Sequence, residues 1–367
     1  MVDLDIAHVK IFIIARHFQV QCRQHMTTRI RTMEQFAEAV GVSRPTVSKY
    51  FQDAGSVRAK VRERIEAGLK ETGFRPNLFA VNLNRRRSKI IGLIFPTSLD
   101  PFYMDLQRRI TMEAGAAGYL PFVFSSDGRA ELEAEAIETL TSMNVAGIIM
   151  TPVGGDERHR AKLKALARNI PIISVDVPVD DEEAFVGTNN GQSMALVADY
   201  LTRVGEPPCY FDMPDLNSNA GGRRRGYVAT MHRRGLEPII IPLPDSDSWE
   251  FERYGFENTA RILREGGFPT RTVLCANDRV AFGVMAAAHQ AGLSIGIEPH
   301  CDLRVAGHDN QPLSQYCSPP LTTVQQNTAE MARHAIALLL PRLGADATPP
   351  SARHILIDAD LVLRASA

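Results

Sequence analysis

Within VSRPTVSKYF, residues 42–51, cationic and hydroxyl side chains alternate with apolar ones: Arg44, Thr46, Ser48 and Lys49 against Val47 and Phe51. Arg and Lys donate hydrogen bonds that suit the O6 and N7 acceptors of guanine in the major groove of double-stranded DNA, and Pro45 offers only apolar contact, such as a thymine methyl accepts. Thr46 and Ser48 complete the outward set. The chemistry this stretch could do is the reading of base edges.

Such residues need a rigid carrier. TMEQFAEAV, 32–40, opens with Thr32 and has Gln35 three positions later, the spacing of a capping box, and it sets Met33, Phe36, Ala37 and Val40 on one helical face. Gly41 supplies a turn, Ser43 is placed to N-cap a second helix over 44–51, and Pro45 falls in that helix's first turn, where a missing N–H does no harm. VRAKVRERIEAGLKETG, 57–73, adds a third helix with Val61, Ile65 and Leu69 inward. The pattern predicts an all-α helix-turn-helix head over 32–75, its second helix built to enter a groove N-terminus first. The alternative is a tight helical hairpin whose charged face is merely solvated.

Charge separates this head from the rest of the chain. Thr27–Lys89 holds 14 basic and 6 acidic residues, 14 − 6 = +8, and Ile90–Ala367 holds 24 and 34, 24 − 34 = −10. A basic head on an acidic body points to a polyanion met by the head alone. The five cysteines, Cys22, Cys209, Cys275, Cys301 and Cys317, are odd in number and lack any CxxC spacing, as expected of buried thiols in a reducing cytoplasm, and no metal or cofactor is expected. IFII at 11–14 is too short for a membrane span and lacks a basic flank, so neither membrane insertion nor export is expected. Residues 1–31 match nothing downstream and read as a disordered lead or a misassigned start.

In FRPNLFAVNLNRRRSK, 74–89, Pro76 is expected to stop the third helix. LFAVNLN is helical in pattern but about two turns long, too short to stand alone. It reads as a hinge helix and linker over 76–89 that forms only when packed, or else as a flexible basic linker. From Ile90 apolar strands alternate with helices: IIGLIFP, then strands near 123, 148, 173, 210, 240, 274 and 305, with final strands in 355–367. Alternation of this kind gives an α/β body of parallel sheets with helices on both faces.

MEQFAEAVGVSRPTVSKYF, VRERIEAGLKETGFRPN, IIGLIFPTSLDPFY, CANDRVAFG and SPPLTTVQQ together resemble the lactose-repressor/galactose-repressor family of bacterial transcription regulators, from about Met33 to the C-terminus. The resemblance implies a two-lobed, periplasmic-binding-protein-like body over 90–367 crossed by three strands, with lobe 1 at about 90–188 plus 321–345 and lobe 2 at about 189–320 plus 346–367. It implies a hinge leucine, Leu83, wedged into the minor groove, although Phe79, Val81 and Asn82 depart from the usual pattern ahead of it. It also implies a homodimer on a pseudo-palindromic operator, each half read by Arg44, Pro45, Thr46, Ser48 and Lys49, with Lys49 where the family often has Arg.

By family position the effector residues are Phe102 and Tyr103, Asp127, Asp176, Arg223, Trp249, Asn277 and Asp309. Carboxylates and Asn suit sugar hydroxyls, Arg spans two adjacent oxygens, and Trp249 is suited to cover an apolar C–H face. Asn277 is equally placed to be only a helix N-cap, Phe102 to be packing, and Arg224 and Arg225 to be solvated charges. His308 and Asn310 replace a more usual aromatic and Asp.

The expected function is a cytoplasmic DNA-binding regulator, a repressor of carbohydrate uptake or catabolism genes controlled by a small sugar or sugar derivative. A sugar receptor without DNA binding is the alternative. An α/β sugar enzyme is disfavoured because the sequence has no GxSxG, HExxH, GxxxxGK[ST] or dinucleotide glycine fingerprint.

Overall fold

The computed structural model describes residues 30–77, 88–97, 99–153, 161, 163–166, 169–180, 183–343 and 353–367. The lead up to residue 29 and the bridge residues 78–87, with Phe79, Val81, Asn82 and Leu83, lie outside the described residues. The chain divides into two compact units, Met1–Ser88 and Lys89–Ala367.

In the first unit the capping box forms as expected. Thr32 Oγ1 accepts from the Gln35 N–H at 3.2 Å, Gln35 Oε1 accepts from the Thr32 N–H at 3.2 Å, and α1 runs Met33–Ala39. Helix α2, Arg44–Gln52, has Pro45 in its first turn, but Ser43 at the N-cap position shares its hydroxyl with Thr46 Oγ1 at 2.8 Å and caps no backbone N–H. Helix α3, Ala59–Thr72, ends at Gly73, not at Pro76. Gly73 takes φ 61, a left-handed conformation open to a residue without Cβ, and its N–H closes on Leu69 O at 3.0 Å.

Phe36, Ala37, Val40, Val47, Ile65 and Phe74 form the core of this unit. Phe36 is fully buried and stacks on Phe74 with ring centroids 4.7 Å apart, which fixes the chain leaving α3 against α1.

The second unit has two lobes. Lobe 1 contains β1 (Ile90–Phe95), α4 (Pro101–Ala116), β2 (Leu120–Ser125), α5 (Ala130–Ser142), β3 (Gly147–Met150), β4 (Ile172–Val175) and β5 (Ala184–Thr188). Lobe 2 contains α6 (Asn190–Val204), β6 (Cys209–Phe211), α7 (Ser218–Arg233), β7 (Ile239–Ile240), α8 (Phe251–Arg264), β8 (Thr272–Cys275), α9 (Asp278–Gln290) and β9 (Arg304–Ala306). The chain then returns through β10 (Thr323–Gln325), α10 (Thr328–Leu339), β11 (His354–Ile357) and β12 (Asp360–Val362).

Lobe 1's parallel sheet has the order β11-β5-β4-β3-β1-β2, lobe 2's is β7-β6-β8-β9, and β10 and β12 form an antiparallel pair between crossings. The wholly buried runs IIGLIF, GIIM and TVLC are what a sheet covered on both faces requires.

Two boundaries differ from expectation. Leu321 and Val324, expected in lobe 1, are buried in lobe 2's core. Residues 354–357 do not belong to lobe 2: β11 pairs with β5 and covers the open edge of lobe 1's sheet, and the chain returns to lobe 2 only afterwards, with Ala359 and Ala367 in that lobe's core. Helix α10 packs on lobe 1, where Met331, Ala332 and Ala335 are buried.

Phe36→Ala should cost the first unit about 3–5 kcal/mol, the range for emptying a buried aromatic site. Hydrogen exchange on the full chain checks it: amides of α1–α3 should lose protection while those of β1, β3 and β8 keep theirs.

Candidate binding cleft and nucleic-acid interface

Ligands of open parallel sheets sit beyond the strand C-termini, and here those ends converge. β1 leads to Asp100, whose Oδ1 caps α4 by accepting from the Phe102 N–H at 2.9 Å, with Phe102 and Tyr103 following in the first turn. β4 leads to Asp176, β6 to Met213 and then to Asn217, Asn219 and Arg223 of α7, β8 to Asn277, and β9 to Asp309. Together with Trp249 and Phe251 these residues line one cleft between the lobes. Asp176 and Asp309 are held at φ 65 and φ 121, left-handed conformations that carry strain for a residue with a side chain and that concentrate at functional sites.

Arg223 is the hub. It is buried, and it donates to Ala276 O at 2.8 Å, Asp309 Oδ1 at 3.0 Å and Asn190 Oδ1 at 3.4 Å. A guanidinium has five N–H groups, so capacity remains for a ligand oxygen. Asp309 Oδ1 also accepts from Gln326 Nε2 at 2.7 Å and meets His308 Nδ1 at 2.9 Å, so Oδ2 is the oxygen with room for a hydroxyl. Gln326 in turn accepts from the Thr188 hydroxyl. Burial opposes the charge on Asp309, yet Arg223 and His308 beside it keep its carboxyl below the usual carboxylate range. Asp176 accepts from the Tyr103 hydroxyl at 2.9 Å, and burial, against the pull of Arg223, pushes its pKa up to about 6.

His308 is fully buried between Asp309 and Ser193 Oγ, the latter 2.9 Å from Nε2. Burial, then Arg223, lower its pKa to about 4, so the ring is neutral near pH 7. A carboxylate only accepts, so Nδ1 carries the proton toward Asp309 and Nε2 accepts from the serine. Ser193, His308 and Asp309 thus share the connectivity of a hydrolytic triad. Ser193 and His308 have no exposed surface, however, and neither lines the cleft; the trio ties α6 to the segment after β9.

Seven of the eight expected effector residues line this cleft; Asp127 does not. It sits at φ 51 with its side chain in solvent, 3.6 Å from Arg129. The contact falls to the next residue: a Cβ on Gly128, at φ +67, would lie 2.3 Å from Trp249 Nε1, so the indole needs a glycine there. Trp249 packs against the cores of both lobes. Asn277 is both cap and wall, accepting from the Val280 N–H at 2.8 Å and lining the cleft.

Arg224 is not a free solvated charge, since it pairs with buried Asp212. Asn310 points along the crossover, bonded to Gln325 and Arg364. Asp100, Asn217, Asn219 and Phe251 line the cleft without having been expected there. Asp before Pro101 and Asn217 before α7 are helix N-cap signals and give those two away.

The cleft holds a cavity of about 30 Å³, room for about one water, and Trp249 touches the cores of both lobes, so the lobes lie close together here. A cavity of about 550 Å³ opens beyond Met213, lined by Asp212, Arg224 and Tyr254 among others. All its walls belong to lobe 2, so it cannot sense closure, and the smaller cleft is the better candidate. Among the described residues no group of His, Cys, Asp and Glu is arranged to hold a metal, and no helix is long and apolar enough to cross a membrane.

In the first unit Arg44, Pro45 and Lys49 are exposed, Thr46 and Ser48 half-buried, and Val47 is buried, so α2 presents the expected face. Arg44 pairs with Glu34 on α1, both largely exposed. Surface pairs of this kind contribute about 0–1 kcal/mol, little enough to exchange for a base contact.

The buried His308 sets a pH dependence. Its pKa is about 4 folded and 6.5 ordinarily, so its contribution to stability is complete above pH 6.5 and is lost as pH falls toward 4. Asp176 and Asp278, raised to about 6 and about 7 chiefly by burial, act oppositely, favouring the folded state at low pH and losing that as pH rises. Relative to His308→Gln, the parent protein should therefore lose about 2 kcal/mol between neutral pH and about pH 5. Urea unfolding of both proteins at the two pH values checks it, and a constant difference contradicts it.

Residues 32–77 match the family model for bacterial regulatory proteins of the lacI family, and residues 207–367 match a periplasmic binding protein-like domain. The ribose operon repressor of Escherichia coli strain K12 is 28% identical over 316 residues, covering 85% of this chain and 93% of that protein. The HTH-type transcriptional repressor CytR of the same strain is 27% identical over 351 residues, covering 91% and 96%. A crystal structure of the Lac repressor dimer bound to operator and the anti-inducer ONPF aligns with TM-score 0.78 at 25% identity, over 91% of this chain and 98% of that one. The Lac repressor bound to ONPG in the repressed state aligns equally well, TM-score 0.78 at 26% identity, over 92% and 99%. With the helix-turn-helix unit, the two-lobed body and both matches in one chain, the protein joins a LacI-family DNA-binding domain to a periplasmic-binding-protein-like body.

Proposed function

We propose that this protein is a transcription repressor of carbohydrate-related genes whose affinity for a pseudo-palindromic operator is set by a small sugar or sugar derivative held between the lobes. The observation that carries the reading is the convergence of Arg223, Asp309 Oδ2, Asp176 and Trp249 at the strand ends of a chain that also bears the Arg44–Lys49 face. Arg223 and the two carboxylates suit adjacent hydroxyls; Trp249 and Phe251, ring centroids 5.8 Å apart, suit the apolar face of a sugar ring. Each half-site is read by Arg44, Pro45, Thr46, Ser48 and Lys49, and Leu83 is assigned to the minor groove at the centre.

Self-association is supported by apolar surface on the body. Met112, Leu120 and Val123 are exposed on α4 and the edge strand β2, and Phe282, Met285, Leu313 and Tyr316 line an open groove of about 390 Å³ on lobe 2. Two copies related by a two-fold axis require a two-fold operator. Such a protein works beside the chromosome, in the cytoplasm, and it binds its sugar without turning it over: Ser193 and His308, the two members of the trio that would have to move a proton, have no exposed surface.

Fluorescence anisotropy on DNA from upstream of its own and neighbouring genes, with a panel of sugars and nucleosides, tests the reading. One palindrome should bind with a steep salt dependence and one ligand class should change that affinity; sugar binding with no DNA binding at any salt would favour the receptor alternative. Arg44→Ala should cost about 1–3 kcal/mol at the operator and relax selectivity at one base pair; an unchanged selectivity profile would remove Arg44 from base reading. Arg223→Ala should weaken the ligand by about 1.5–3 kcal/mol and leave operator binding intact. Release by the same ligand concentration as the parent would take Arg223 out of the site.

A further inference from the structure

The face of lobe 2 opposite Asp100 carries a cation where the local backbone does not favour one. Arg279 lies in the first turn of α9, just after the N-cap Asn277, at the positive end of the helix dipole. It is held there by carboxylates on two sides. Glu252 of α8, half exposed, accepts from Nε at 2.7 Å and from Nη2 at 2.7 Å, a fork that orients the guanidinium. The remaining arm, Nη1, reaches from lobe 2 to Asp100 Oδ2 of lobe 1 at 3.1 Å, with side-chain exposures of only 11% for Arg279 and 8% for Asp100.

The crossing contact is joined to the cleft. Asp100 caps α4 through Oδ1, which also accepts from Gln311 Nε2 at 3.4 Å, and Phe102 and Tyr103 stand in the first turn of that helix. On the other side the Arg279 guanidinium lies 5.1 Å from the centroid of Phe251, a wall of the cleft. Arg279 itself does not line the cleft.

We propose that Arg279 is a positioning residue, a clasp oriented by Glu252 that holds Asp100 and so sets the fraction of molecules with closed lobes. Apparent affinity scales with the fraction f of molecules in a binding-competent lobe arrangement, so losing the clasp changes the affinity of every ligand by one common factor without changing their order. The ligand half of this rests on the cleft being the effector site; the closure half does not.

The test is single-molecule fluorescence energy transfer in the full-length protein, between dyes on the exposed positions Ser142 of lobe 1 and Arg264 of lobe 2, without ligand. Arg279→Met keeps the apolar stem and removes the charge; it should move a major share of molecules to a different, broader transfer distribution, and Arg279→Lys should restore it in part. Asp100→Asn, which retains capping ability, is the second route should Arg279→Met fold poorly. Distributions that match the parent in both variants overturn the clasp.

A second readout uses the sugars and nucleosides of the anisotropy panel. Arg279→Met should shift the affinities of those that bind the parent by one common factor of about tenfold with their rank order kept, and a changed order would make Arg279 a ligand contact instead. If no compound of the panel binds the parent, the effector reading fails while the transfer measurement still decides the clasp.

Discussion

A guanidinium cannot be left uncompensated inside a protein, and the second unit is arranged around that constraint at Arg223. With 4% of its surface exposed, the side chain depends on Asp309, with Asp176 as a further charge in reach. Asp309 in turn depends on the left-handed turn after β9 and on Gln326 from the crossover, which holds Thr188 at the end of β5. One charge balance therefore links α7, the end of β9 and two of the three crossings. Removing one partner would leave a buried charge alone, a far larger penalty than the pair's net contribution.

This arrangement explains how a static cluster can act as a sensor. Carboxylate and guanidinium are already oriented by protein partners, so under the proposed function a sugar would add contacts to groups held in place, and what would change is the balance between closed and open lobes. Trp249 belongs to both lobe cores and lies against Gly128, so the ring that suits a sugar face is also a seam of the closed form. The family relation to repressors supplies the reason for the helix-turn-helix unit on the same chain, and linkage requires that any ligand favouring one lobe geometry change DNA affinity if the operator also favours one.

Much of this was legible from local rules. The Thr32–Gln35 box, the inward face of Phe36 and Val47, Asn277 as a cap and the strand alternation each follow from spacing over a few residues, and each is present. What escaped depends on distant partners. His308 reads as a departure from pattern until Ser193, 115 positions earlier, is seen to take its Nε2. Nothing local in the sequence singles out Arg279, whose partner Asp100 lies 179 positions away. Residues 354–357 read as a terminal strand of lobe 2, and only the open edge beside β5 shows that they belong to lobe 1. Asp127 matched by position, but the Asp127–Gly128 turn points it to solvent and gives the glycine the close approach.

Whether the body is built around the Arg223 charge balance is decided by a double-mutant cycle on Arg223 and Asp309, reading unfolding of the ligand-free protein by the fluorescence of Trp249, the one tryptophan in the chain. Arg223→Met and Asp309→Asn should each cost about 3–5 kcal/mol, and the double variant should cost little more than the larger of the two, because the second change removes a charge already left alone. If the two costs simply add, the buried pair is not the constraint around which this body is built.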